Sequence, residues 1–350
     1  MILYLVGLVL LCCWGAKYHA GGIREDYLSL EQTETIRGIM ACLIFCSHLR
    51  GYLPMDGAGD GAYVKILYTI GQCMVAPFFF YSGYGIVLSY RKKKDYAKSF
   101  LRKRLGITWV HFAVAVVLFY LVDLLLGLRY PVSVFLSALT GWDAVGNSNW
   151  FMFVTFVLYL IVWAGMLVIA KLDKQESAAE RSKTLVILIL LMSGGLVAIL
   201  SALKESWWFD TLLCFCFGGA YCLVKERFDA LCRHGGNWIG LLGTAVFFWV
   251  LFRRNGGAVA YNVCAMLFAL AVTMVTMKLR LGNPVLSWLG RHSFFIYIYM
   301  RIPMLVMEQT GILIQMPVVF AAVALAVTCA MAWVMKGFHD KTDRWFLVGV

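Results

Sequence analysis

Long apolar blocks separated by short polar or basic links dominate this chain. A hydrocarbon core takes about 20 apolar residues per helix. Eleven blocks approach that length: residues 2–16, 36–53, 66–89, 105–128, 150–170, 185–203, 211–224, 238–252, 259–277, 286–306 and 317–335. The first, seventh and eighth are short, so tilted or re-entrant segments are expected there. The pattern predicts an all-α fold, a polytopic transmembrane helical bundle of about 10–11 spans. Residues 1–34 read as an additional amino-terminal span with a cytoplasmic loop, and residues 35–350 as the bundle with a short cytoplasmic tail. The first block lacks the charged start and small-x-small cleavage site of a signal peptide, so a retained helix is expected. No repeat of fixed period is visible. The link 54–63 (PMDGAGDGAY) is Gly-rich and polar, and it is expected to be mobile.

Composition agrees with the pattern. Of 350 residues, 62% are hydrophobic and 14% charged, and the mean hydropathy is +0.79. Soluble domains sit near 45–50% apolar and about 25% charged. A net charge of +12 would suggest nucleic acid in a soluble protein. In a membrane protein it reflects Lys and Arg gathered in cytoplasmic loops, and no nucleic-acid partner is expected. Arg91, Lys92, Lys93, Lys94, Lys98, Arg102, Lys103 and Arg104 fill the link between the third and fourth blocks. Placing that link in the cytoplasm puts 24 of the 31 basic residues inside and 7 outside. The amino terminus is then outside and the carboxyl tail inside. Arg253-Arg254 fits this scheme worst and makes the eighth span doubtful. Eleven cysteines show no C-x-x-C and no zinc spacing. They read as small apolar filler, and no metal site is expected.

Two ionisable residues stand out. Arg37 and His48 lie within one apolar block, and the helical repeat puts them on one face, roughly 16 Å apart along the axis. Ionisable side chains are expensive in hydrocarbon and are read as functional by default. A neutral imidazole can take a proton from a hydroxyl near neutral pH, so His48 is the candidate general base. The alternative is a histidine that only bonds a neighbouring helix.

Other constellations are weaker singly. Arg102-Lys103-Arg104 could hold an anion through the planar guanidinium fork, or serve only topology and anionic lipid. Ser82-Gly83-Tyr84 follows a Pro and an aromatic run, as in helices that approach closely or line a cavity. Asn149-Trp150 opens the fifth block, where Asn suits a cap and Trp an interface anchor. Arg50 sits just above His48. Arg291-His292-Ser293 opens the tenth block, with Arg301 and Glu308 near its far end.

Together these segments resemble the membrane acyltransferase-3 family. The basic residue, ten intervening residues and histidine of that family's first core helix are matched by Arg37-Gly38 through Ser47-His48. Residues 78–86 (FFFYSGYGI) resemble its F-F-x-x-S-G-F stretch, and 99–104 (SFLRKR) its next basic helix start. Trp150-Phe151 with Leu158-Tyr159-Leu160 resembles its W-F…L-Y-L helix, and 289–297 (LGRHSFFIY) its L-G-x-x-S-x-x-I-Y motif. Ile107 stands where the family often has a further Arg, and Met300 where a late His is common.

The resemblance implies an O-acyltransferase of the plasma membrane (the cell inner membrane). It implies an acyl-CoA donor, acetyl-CoA in the usual case, held from the cytoplasm, and a glycan or lipid-linked acceptor outside. His48 and Arg37 would then be catalytic. Arg102, Lys103, Arg104, Ser82 and Arg291 would bind the donor, and Arg50, Asn149, Trp150 and Tyr84 the acceptor. Direct transfer and an acyl-enzyme route both stay open, as do a homo-oligomer and a separate extracytoplasmic partner beside the surrounding lipids. The competing readings are a transporter or flippase without covalent chemistry, which would show related halves, and a structural or sensory protein.

Overall fold

The computed structural model describes residues 1–93, 95–172 and 177–347, so the basic residues Lys94 and Lys174 lie outside the described part. The fold is an all-α polytopic bundle. Its helices are α1 (Ile2–Cys13), α2 (Leu30–Leu49), α3 (Asp60–Ile70), α4 (Ala76–Lys92), α5 (Tyr96–Phe100), α6 (Ile107–Leu125), α7 (Val132–Ala138), α8 (Trp150–Leu172), α9 (Ala178–Leu203), α10 (Leu213–Cys232), α11 (Gly235–Asn255), α12 (Ala258–Lys278), α13 (Pro284–Tyr299), α14 (Arg301–Thr310) and α15 (Pro317–Leu347). A tight 3-10 turn, Gly71–Val75, joins α3 to α4, and a wide π turn, Leu101–Gly106, joins α5 to α6. Two residues of β1 (Lys17–Tyr18) pair antiparallel with β2 (Leu279–Arg280).

Every apolar block corresponds to a helix. Eight of the described helical segments are long and apolar enough to cross a membrane. α1 is too short at 12 residues. α2 is less apolar because it carries Glu31, Glu34 and Arg37, and α13 and α14 are separate helices of 16 and 10 residues. α2 and α13 pack on each other along their length. The contact is close because α2 presents Gly38 and α13 presents Gly290. A Cβ on Gly290 would strike the Glu34 carbonyl, and one on Gly38 the Leu286 carbonyl. A second seam joins α4 to α10, where Gly83 meets the Phe215 carbonyl and Gly218 meets that of Phe80. Small residues allow such backbone approach between membrane helices.

Two faces are evident from the links. On the basic face, buried Arg24 donates to Gln32 Oε1 at 2.9 Å and to the Thr276 and Leu279 carbonyls, beside the β1–β2 pair. There too the Tyr27 hydroxyl donates to Asp229 at 2.6 Å. On the far face, the Tyr4 hydroxyl donates to the Val318 carbonyl, and Lys204 donates to the Trp142 carbonyl.

Two expectations change. The 54–63 link is organised by Asp60, which opens α3, pairs with the Met1 amino group at 2.7 Å and accepts from the Gly57 amide. The seventh and eighth spans are unbroken helices of 20 and 21 residues, and the doubt raised by Arg253 has a local answer. Arg253 donates to the Tyr68 and Thr69 carbonyls, which the break after α3 leaves free, and stacks over Tyr68 and Tyr261.

Candidate active site

A cavity of about 580 Å³ opens on the basic face and runs inward between α2, α4, the π turn, α6, α8 and α13. That volume lies within the range of small-molecule sites. One stripe of α2 forms a wall: Leu30, Thr33, Arg37, Ala41 and Ile44 all line it. Their spacing of three and four residues is that of one helical face. His48 continues the same stripe, one turn past Ile44. The shared face read from the sequence therefore holds, but the cavity stops a turn short of the histidine. Of the two residues read from the sequence, Arg37 lines the cavity and His48 does not.

Arg37 and Arg104 both line the mouth. They come from α2 and the π turn and lie close enough to repel. Arg37 has the Thr33 carbonyl at 3.4 Å and Glu34 at 4.0 Å, so neither contact consumes its guanidinium. Arg104 lies beside the phenols of Tyr96 and Tyr159. Two guanidiniums thus share one opening, and among the described residues the one carboxylate near either of them is Glu34, beside Arg37. Lys103 is exposed and off the cavity, and Arg102 is half-buried with Nη2 unpartnered. A π turn inserts an extra residue into a helix, and such turns cluster at functional sites. Here the turn carries the whole basic triplet, of which Arg104 lines the cavity.

Deeper in, the wall is aromatic and sparsely polar. Ser82 Oγ lies 3.4 Å from the Tyr159 hydroxyl, and both line the cavity. Tyr84, grouped by sequence with the acceptor, lines it as well, on the basic half. Arg291 is exposed and points elsewhere, and its place at the wall is taken by Ser293 and Phe294. Trp150 lies off the cavity too. It sits edge-on to Phe151, which lines the inner end with Tyr297 and Met300. The Asn149 carbonyl starts α8 by accepting from the Met152 and Phe153 amides.

Beyond the inner end lies a polar cluster. His48 Nε2 is 3.5 Å from Ser148 Oγ, and Arg301 and Arg50 supply positive charge beside it. Arg50 folds back onto the Ser47 carbonyl and hydroxyl at the end of α2, so it caps a helix rather than facing open space. Arg301 donates to the Tyr52 hydroxyl at 2.8 Å and to the Asn147 carbonyl at 3.1 Å. Ser148, next to the Tyr297 phenol, forms the layer between cavity and histidine. Sequence reasoning missed Ser148 and Asp123. Ser148 carries no local signal. Asp123 did carry one, being an acidic residue inside an apolar block.

Residues 31–337 match the acyltransferase-3 family profile, described as an acyltransferase domain. The chain belongs to the acyltransferase-3 family. No curated protein and no solved structure matches it. In this membrane acyltransferase the family-like segments converge on the cavity. Arg37 and the FFFYSGYGI stretch give two walls, Arg104 the mouth, Phe151 and Tyr159 a third wall, and Ser293 with Tyr297 the fourth. Gly38, Gly83 and Gly290 of the same segments let those walls approach.

Proposed function

We propose that this acyltransferase takes an acyl group, acetyl in the simplest case, from acyl-CoA at the basic face. It passes the group to a hydroxyl of an extracytoplasmic or lipid-linked glycan in the plasma membrane. One observation carries the reading: Arg37 and Arg104 meet at the mouth of a cavity that ends one helical turn below His48. The mouth suits the phosphates of the donor. The aromatic channel past Ser82 and Tyr159 suits its uncharged pantetheine arm. The thioester then lies at the inner end, near Tyr297 and Ser148.

His48 Nε2 takes the proton of the acceptor hydroxyl as that oxygen attacks the thioester carbon. Positive charge on Arg301 favours the oxyanion that develops. Collapse breaks the carbon–sulfur bond, and the proton leaves with the CoA thiol. Ser148 holds the imbidazole edge in the resting state and gives way to the acceptor. Arg37 serves the donor end in this reading rather than the reacting atoms.

The test is purified full-length protein with radiolabelled acetyl-CoA, followed for CoA release and for label on an added glycan or on membrane lipid extract. The reading expects turnover that is lost in His48→Ala. Uptake of a solute into vesicles, with no acyl-CoA turnover in any chain length, would reject it in favour of a transporter.

A further inference from the structure

Leu28 lines the cavity from outside the region that the family profile matches, which begins at residue 31. It stands in the link between α1 and α2. Beside it are Leu30 and Thr33 at the start of α2, and Leu88 and Ser89 at the basic end of α4. Arg37 is seven residues past Leu30, about 10 Å further in at 1.5 Å per residue. A ligand that reaches Arg37 and Arg104 from the basic face therefore passes Leu28. The link is tied down on both sides of this leucine. Ser29, which follows it, caps α2 by accepting from the Gln32 amide at 3.2 Å. Tyr27, which precedes it, is buried, and its hydroxyl donates to Asp229 of α10 at 2.6 Å and lies 2.8 Å from that of Tyr221. Further back, buried Arg24 donates to Gln32, to Asp26 and to the Thr276 and Leu279 carbonyls. A buried guanidinium is costly unless it is paired and hydrogen-bonded, and these acceptors hold it.

We infer that Leu28 is the contact that sets the cavity's entrance, and that Tyr27 and Arg24 are the residues that position it. The link acts as a strap between the two walls that meet there. Ser29 and Gln32 fasten it to α2, and Tyr221 and Asp229 fasten it to α10. α10 is in turn locked to α4 at the seam of Gly83 and Gly218. The Tyr221 ring packs 5.4 Å from Phe80 and 6.3 Å from Tyr84, and Tyr84 lines the cavity. One hydroxyl on Tyr27 thus links the residue before Leu28 to the opposite wall. Release of that bond frees the strap to move away from α4, and the entrance widens. Leu28 with Leu30 and Leu88 also makes the entrance apolar, outside the two guanidiniums. An organic anion can cover these leucines as its charge reaches the arginines, which a bare inorganic anion cannot do.

The entrance can be tested apart from the identity of the donor. Full-length protein in detergent carries Ser82→Cys as a reporter inside the cavity, in a background without Cys12, Cys13, Cys42 and Cys329, the native cysteines that are not buried. The rate of its reaction with 2-sulfonatoethyl methanethiosulfonate, a small anionic thiol reagent, reads the opening. Leu28→Trp should slow the reaction and Leu28→Ala should speed it. Tyr27→Phe should speed it about tenfold, the scale of one hydrogen bond to a charged group. Tyr4→Phe, which removes a hydrogen bond on the far face, is the control and should leave the rate unchanged. Melting temperature is followed alongside. With Ser82 restored, Leu28→Ala and Tyr27→Phe should raise the KM for acetyl-CoA about threefold or more and leave kcat nearly unchanged, because the lost contact is made alike in ground and transition states. Unchanged labelling in both Leu28 variants overturns the entrance contact. Shifted labelling in those variants with none in Tyr27→Phe overturns the positioning role. Labelling that shifts as expected in a protein that consumes no acyl-CoA leaves the strap standing and removes the proposed transfer instead.

Discussion

Arg37 and Arg104 meet at one opening from helices that are distant in sequence, and no carboxylate neutralises both: among the described residues only Glu34 approaches Arg37, at 4.0 Å. Their mutual repulsion is a standing cost that an anionic ligand would relieve. Arg104→Glu should therefore raise the apparent KM for acyl-CoA about tenfold or more, with kcat changed less than about threefold, because a phosphate clamp acts on ground and transition states alike. Lys103→Glu, off the cavity, should leave KM nearly unchanged. Steady-state kinetics against donor concentration decides it, and equal effects of the two variants would remove the clamp.

His48→Ala should lower kcat by about 10²–10⁴-fold, the usual contribution of a general base. Donor affinity should hold, because the cavity ends at Ile44, a turn short of the histidine. Equilibrium binding of a non-hydrolysable acyl-CoA analogue, measured beside turnover, separates the two effects. Loss of donor binding in His48→Ala would place the histidine in the donor site instead.

Gly290→Val should destabilise the bundle, by about 1–3 kcal/mol or more given that added bulk must displace backbone rather than a side chain. The Glu34 carbonyl occupies the space a side chain would need. Gly243→Ala, with no neighbour within 4 Å, is the control and should be neutral. Thermal unfolding in detergent reads both, and an unchanged melting temperature in Gly290→Val would refute the seam.

A membrane-impermeant thiol reagent applied to sealed cells should label Asp56→Cys and spare Lys98→Cys, in a background without reactive native cysteines. The expectation follows from the 24 to 7 split of basic residues. Labelling of Lys98→Cys alone would invert the molecule and put the Arg37–Arg104 mouth outside.

Much of the fold was legible because a membrane span is a local property. A run of apolar residues declares a helix without reference to any partner, and all eleven blocks became helices. The stripe from Leu30 to His48 was equally local, since one helix carries it. The weak points were those where a residue answers to a distant one. Arg253 looked like a topological misfit until the free carbonyls of Tyr68 and Thr69 came into view. Arg291 and Trp150 sat in the right motifs but a neighbour faces the cavity instead, because a motif does not specify helix rotation.

By itself the sequence determined an all-α membrane bundle, the family-like segments, and a face of α2 carrying Arg37 and His48. The first and the last follow from composition and spacing within single helices, and the family-like segments from their resemblance to known motifs. Only the tertiary structure decided that Arg104 rather than Lys103 joins Arg37, that the cavity ends at Ile44, and that Asp123 is left unpaired beside Asn147. Each of those depends on how two or more helices are rotated and how closely they pack. That is set by the glycine seams and the π turn acting together, not by any one stretch of chain.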